Sequence, residues 1–180
     1  MHFSLITLSF TAPSFLVNGI SFMSLLLVIS DTTIFIRLNF KYSYVFLFCM
    51  SKILFVCHAN VGRSQMAEAY YNFLTNSKDA VSAGNMLDIE NRYPKLPCTI
   101  VNLMSEEGIP INSQKPKTVT PEMVDVCDRM YVLCPREQCL DFVVNSEKAV
   151  FWNVKDPYNV TFENMRKIRD KIRKKVESVI

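Results

Sequence analysis

Ile53-Leu54-Phe55-Val56-Cys57-His58-Ala59-Asn60-Val61-Gly62-Arg63-Ser64 joins an apolar, β-favouring run to a cysteine, a short loop, an arginine and a serine. The segment Ser64-Gln65-Met66-Ala67-Glu68-Ala69 then opens a helix. A strand, a tight loop and a helix N-terminus bring backbone N–H groups to one point, with the helix dipole aimed at it. Such a turn is a cradle for an oxyanion. A cysteine placed there is favoured as the thiolate, because amide dipoles and a permanent cation surround it. Arg63 adds a planar fork able to hold two oxygens of a tetrahedral anion. Taken alone, Cys57 reads as a buried core thiol at a strand end, and a lone Cys-x5-Arg spacing arises by chance. The strand before it, the helix after it, and Asn60 and Ser64 placed to brace the loop turn the reading toward function. His58 follows the cysteine directly, points elsewhere on the loop, and is given no catalytic role.

Outward from this turn, strands and helices alternate. The pattern predicts an α/β fold of three layers, a four-stranded parallel sheet flanked by helices on both faces. Expected strands cover residues 53–56, 80–82, 129–133 and 149–152, with helices over 64–74 and 97–107, the latter closed by Gly108. Thr120-Pro121-Glu122 reads as a helix start, with threonine at the cap and proline in the first turn. The last helix is expected from about Thr161, with Phe162, Met165, Ile168, Ile172, Val176 and Val179 forming one apolar stripe. Arg166, Lys167, Arg169, Lys171, Arg173, Lys174 and Lys175 are expected on its other, solvated face. No aromatic residues interleave with these charges, and a net charge of +3 is too small to argue for a nucleic-acid partner. In a parallel sheet of this kind ligands dock at the first strand-to-helix turn, where Cys57 falls.

The remainder of the chain is unlike this domain. Residues 1–49 hold only Asp31, Arg37 and Lys41 as charged side chains, and eight of the thirteen phenylalanines. Residues 3–30 carry no charge and are long enough to span a bilayer, although Pro13, Asn18, Gly19 and many serines make a mediocre helix. A secretory signal is a second reading, one that delivers a reactive thiol to an oxidising compartment. In the third and favoured reading the natural chain starts at Met50, and Ser51-Lys52-Ile53 opens the first strand at once. A membrane is a partner only if residues 1–49 are a real anchor; otherwise the expected location is the cytoplasm. Residues 50–180 have the size of one catalytic domain.

The Cys57 loop resembles the P-loop of the low-molecular-weight protein tyrosine phosphatases and of the thioredoxin-coupled arsenate reductases, over about residues 50–180. Val81-Ser82-Ala83-Gly84, Glu107-Gly108-Ile109-Pro110, Met130-Tyr131-Val132-Leu133-Cys134 and Asp156-Pro157 resemble further landmarks of that family in the right order. The resemblance implies a flavodoxin-like fold and cysteine-dependent hydrolysis of a phosphomonoester, on a phosphotyrosine protein or a small aryl phosphate. It implies Cys57 as nucleophile, Arg63 as oxyanion holder and Asp156 as general acid and base, with no metal or cofactor. Asn60, Val61, Gly62 and Ser64 would line the anion site, Asn60 fixing the loop and Ser64 bonding the thiolate. Tyr158 resembles the aromatic residue that flanks a phenyl ring, or is a surface turn residue; Asp156, taken alone, is also an ordinary turn residue before Pro157. Many members carry a histidine that supports the loop where this chain reads Asn112-Ser113-Gln114-Lys115, and no replacement is evident.

The rival chemistry is arsenate reduction. The chain has six cysteines, Cys49, Cys57, Cys98, Cys127, Cys134 and Cys139. In the reductases a second thiol attacks the first, arsenite leaves, and a third thiol resolves the disulfide. Cys134 and Cys139 resemble that pair, and Gly62-Arg63-Ser64-Gln65-Met66-Ala67-Glu68 is closer to the reductase form. Arsenate and thioredoxin, or another thiol donor, would then be partners. Against it, phosphatases of the family also carry a cysteine at the Cys134 position, and two unrelated reduced thiols remain an equal alternative. Cys127, Cys134 and Cys139 lack the close Cys-x2-Cys pair and the nearby histidine of a zinc site. A non-catalytic oxyanion-binding regulator on the same scaffold ranks last, since Cys57, Arg63 and Asp156 are all present.

Overall fold

The computed structural model describes residues 52–180 and, before them, residues 15–17, 20–22, 24–29 and 32–37. The chain divides into two compact units, Met1–Cys49 and Met50–Ile180. In the first unit, β1 (Phe15–Val17) pairs antiparallel with β2 (Ile20–Phe22), and β3 (Ser24–Ile29) with β4 (Thr32–Arg37). The anchor, signal and Met50-start readings turn mainly on positions outside the described residues. Among the described residues no helix is long and apolar enough to cross a membrane.

The second unit is a four-stranded sheet in the order β6-β5-β7-β8. It is built from β5 (Ile53–Cys57), β6 (Ala80–Gly84), β7 (Arg129–Val132) and β8 (Ala149–Phe151), all paired parallel. The α/β layering read from the sequence is therefore the architecture found. β5 is buried at every position, as a central parallel strand covered on both faces must be. Its side chains alternate between two core layers. Ile53, Phe55 and Cys57 pack with the helices α1 (Arg63–Leu74), α3 (Cys98–Ser105) and α6 (Phe162–Glu177). Leu54 and Val56 pack on the other face with Cys134, with Val124 of α4 (Pro121–Val126) and with Val143 of α5 (Asp141–Val144).

Two helix starts follow the side chains expected of them. Thr120 accepts a bond from Met123 N with Pro121 in the first turn, and Thr161 accepts one from Asn164 N. Gly108 takes φ +72 after α3, the left-handed closure that glycine makes without strain. Three elements leave no periodic signal because each is about one turn long: α2 (Ile89–Arg92), α5 and a 3-10 turn at Arg136–Gln138. β6 runs two residues beyond its expected end because Gly84 N donates to Lys117 O (2.9 Å) and Val119 N donates to Gly84 O (2.8 Å).

The solvated-face reading of α6 needs one correction. Arg169 is only 6% exposed. Its guanidinium bonds Leu103 O (3.0 Å) and Glu106 (2.9 Å), which ties α6 to the end of α3. Arg166 pairs with Glu106 and Arg173 with Glu107 alongside it. An arginine at the border of an apolar stripe buries its stem and carries its charge to acids across the helix pair.

Candidate active site

β5 is the topological switch point of the sheet, since β6 lies on one side of it and β7 on the other. Cys57 ends β5 and is buried. The chain then turns through residues 58–62 into α1, whose cap position, Gly62, makes no side-chain capping bond. Among the described residues the N–H groups of Val61, Gly62, Arg63, Ser64 and Gln65 donate to no protein acceptor; the first helical bond of the turn is Met66 N to Gly62 O, 2.9 Å. Five unpaired donors at the positive end of a helix are a binding surface for an anion.

A buried network holds this turn open. Asn60 adopts φ 51, a left-handed conformation that asparagine tolerates better than most residues. Its Nδ2 donates to Ser64 Oγ (2.8 Å) and Ser82 Oγ (2.9 Å). Its Oδ1 accepts from Gln65 Nε2 (3.0 Å) and from Lys117 N (2.9 Å). Ser64 Oγ, in turn, lies 3.0 Å from Cys57 Sγ. The serine thus bridges the loop-fixing asparagine and the thiol.

Arg63 is 3% exposed. Its Nη1 donates to Val154 O (3.0 Å) and Leu133 O (3.5 Å), and its Nη2 to Asp156 Oδ2. The carboxylate of Asp156 is half-exposed, and its Oδ1 accepts from Tyr158 N (2.9 Å) in a local turn. Tyr158 itself is 86% exposed. Gly62 faces Ile100 and Pro157: a Cβ there would sit 3.5 Å from each, an ordinary contact. The sequence-selected residues Cys57, Asn60, Val61, Gly62, Arg63, Ser64 and Asp156 are therefore brought to one edge of the sheet. Tyr158 lies beside them, held through its backbone.

Cys134 adjoins the end of the Cys57 strand through Asn85, whose Nδ2 lies 3.3 Å from Cys57 O and 3.5 Å from Cys134 Sγ. Cys134 packs in the opposite core layer. The two sulfurs lie 3.5 Å apart. The bond between them pushes the Cys134 thiol up, with burial adding to it, and holds Cys139 below the usual thiol range. Among the described residues no group of three or more histidine, cysteine or acidic side chains is placed to hold a metal ion.

Three contributors escape a reading of the sequence alone. Gln65 Nε2 donates to Asn60 Oδ1 (3.0 Å) and Lys115 O (3.1 Å), and so ties the loop to the segment 112–115. Gly84 is required by packing: an added Cβ would lie 2.4 Å from Ile89 Cδ1 and 2.9 Å from both Asn60 N and His58 O. Asn85 anchors the strand end, its N and Nδ2 donating to Cys57 O at 2.9 and 3.3 Å. Glutamine after the serine was the signal for the first; nothing local marks the other two.

The chain matches the low molecular weight phosphotyrosine protein phosphatase family over residues 52–180. It belongs to that family. The glutaredoxin arsenate reductase of Synechocystis sp. is 31% identical over 137 residues, 73% of this chain and 97% of that protein. An arsenate reductase solved in a phosphate-binding state is 28% identical, covers 72% of this chain and 96% of its own, and superposes with a TM-score of 0.59. Vibrio vulnificus Wzb, solved with benzylphosphonate, shares the fold at 19% identity and a TM-score of 0.64, covering 72% and 96% of the two chains. The family thus includes both phosphatase and arsenate reductase neighbours of this chain, and its membership makes the chain an enzyme of the low-molecular-weight phosphatase type.

Proposed function

We propose that the protein is a cysteine-dependent phosphomonoesterase acting on a phosphotyrosine protein or a small aryl phosphate. The observation that carries this reading is the set of five unpaired amides around Cys57 with Ser64 on its sulfur and Arg63 bonded to Asp156. The phosphoryl group enters the amide cradle and draws the Arg63 fork to its equatorial oxygens. That competition releases Asp156 to face the leaving oxygen. Asp156, once Arg63 has left it, takes a proton from solvent. The Cys57 thiolate attacks phosphorus in line; the S–P bond forms as the ester P–O bond breaks, and Asp156 passes that proton to the departing oxygen. Asp156 then takes a proton from water, which attacks the thiophosphate and returns Cys57 as the thiolate leaving group, steadied by Ser64 Oγ. No step calls for a metal or cofactor. We assign the catalysis to residues 50–180 and the setting to the reducing cytoplasm, where Cys57, Cys98, Cys127, Cys134 and Cys139 remain free thiols.

A leaving-group series tests the acid. Asp156→Asn is expected to slow esters of poorly leaving phenols far more than p-nitrophenyl phosphate. An equal loss across the series would remove Asp156 from proton transfer.

A second reading is favoured by the arsenate reductase relatives and by the Cys134–Cys139 pair. Arsenate would bind the same cradle, and the electrons would come through these thiols from a thioredoxin or glutathione-type donor. Cys139→Ser would then abolish thiol-dependent arsenate turnover and spare ester hydrolysis. Unchanged arsenate turnover would exclude Cys139 from the relay.

A further inference from the structure

We propose that Cys134 and Cys139 form a dithiol site for trivalent arsenicals that does not use the Cys57 sulfur. Both are free thiols, 3.5 Å apart, well beyond a disulfide bond of about 2.05 Å. The separation selects the geometry of the bound centre. Two bonds of about 2.3 Å place their sulfurs about 3.5 Å apart when they meet near 100°, about 3.8 Å at a tetrahedral angle and about 4.6 Å in a line. The pair fits a pyramidal centre and fits a linear two-coordinate ion poorly. No third histidine, cysteine or acidic ligand is at hand among the described residues, which disfavours a closed four-ligand zinc site. A pyramidal arsenic needs only two sulfurs, its third valence being filled by an aryl or hydroxyl group.

The surroundings suit stepwise capture. Cys139 is half-buried at the end of the Arg136–Gln138 turn, whereas Cys134 is fully buried behind it. The bond between the two sulfurs favours Cys139 as the thiolate, so the accessible sulfur attacks first and the buried one closes the chelate. Asn85 orients the inner sulfur, with Nδ2 3.5 Å from Cys134 Sγ and Oδ1 accepting from Leu140 N at 3.2 Å. With an aryl arsenoxide, two As–S bonds form and the arsenic–oxygen bond breaks. The oxygen leaves as water with both thiol protons, and arsenic stays trivalent. No oxidant or reductant is consumed. The phosphatase reading leaves both thiols idle; under the reductase reading the same pair would carry the relay, and an arsenical bound there would block it.

The test is an intact-mass titration of the full-length, reduced protein with phenylarsine oxide in excess glutathione. One adduct is expected in the wild type and in Cys57→Ser, resistant to glutathione and removed by 2,3-dimercaptopropanol. It is expected to be lost in Cys139→Ser, a half-buried position, with circular dichroism checking that the fold is kept. A second variant, Cys134→Ala, is expected to leave only an adduct that glutathione strips. Retention of the resistant adduct in Cys139→Ser, or its loss in Cys57→Ser, would overturn the proposal.

Discussion

Asn60 carries four hydrogen bonds from a left-handed backbone, and two of them lead to the start of α1 through Ser64 and Gln65. Truncating it strands buried donors and acceptors, each worth about 1–3 kcal/mol, and leaves the left-handed conformation to alanine. Asn60→Ala is expected to destabilise the domain by about 2–4 kcal/mol and to lower aryl phosphate turnover more than binding, by thermal melting and steady-state kinetics. A stable variant with wild-type turnover would show that the network does not shape the cradle. Gln65→Ala removes the amide from Asn60 and Lys115 together, for an expected loss of about 1–2 kcal/mol. A shift in kcat with an unchanged melting temperature would instead point to direct contact with substrate.

At the scale of elements, β6 and α2 press against the turn from behind. Gly84→Ala forces backbone to move, since Asn60 N and His58 O stand 2.9 Å from the new Cβ and neither belongs to a flexible side-chain end. Overpacking of this kind costs about 1–3 kcal/mol, and the displacement is directed at the loop that holds Cys57. Turnover is therefore expected to fall in Gly84→Ala even below its melting temperature; a stability loss without a change in kcat would confine Gly84 to packing. The seam between α3 and α6 behaves differently. Hydrogen bonds from Arg166, then from Arg169, pull Glu106 down from its ordinary 4.5 to about 2. A carboxyl depressed by folding contributes stability that is complete above its unfolded value and is lost as pH falls toward the folded value. Acid titration from pH 5 to pH 2 is expected to weaken the domain, and Glu106→Gln is expected to flatten that part of the curve. An unchanged curve would show that the exposed seam adds nothing, as many surface pairs do.

For the molecule as a whole, the layering and the site differ in how far a sequence discloses them. β5 and α6 were legible because each carries a long apolar run or stripe, and α6 a strong cap: the run Ile53–Cys57, the stripe through Ile168, Ile172 and Val176, and Thr161 at the helix start. Cys57, Arg63 and Ser64 were legible because strand, loop and helix fall on contiguous residues. The rest of the site arises from contacts across long separations, as between Arg63 and Asp156, Asn60 and Lys117, or Cys57 and Asn85. Arg169 escaped the sequence for the same reason, its partners being Leu103 and Glu106 on another helix. Short elements such as α2 and α5 were silent because a single turn has no period.

The central claim is that this geometry hydrolyses phosphomonoesters through Cys57. The most direct measurement is p-nitrophenyl phosphate hydrolysis by the reduced protein beside its Cys57→Ser variant. Turnover in the first and at least a thousandfold loss in the second, about 4 kcal/mol of barrier, is the predicted result. Near-equal rates would contradict nucleophilic catalysis by Cys57, and no turnover from the folded, reduced wild type would contradict the phosphatase reading itself.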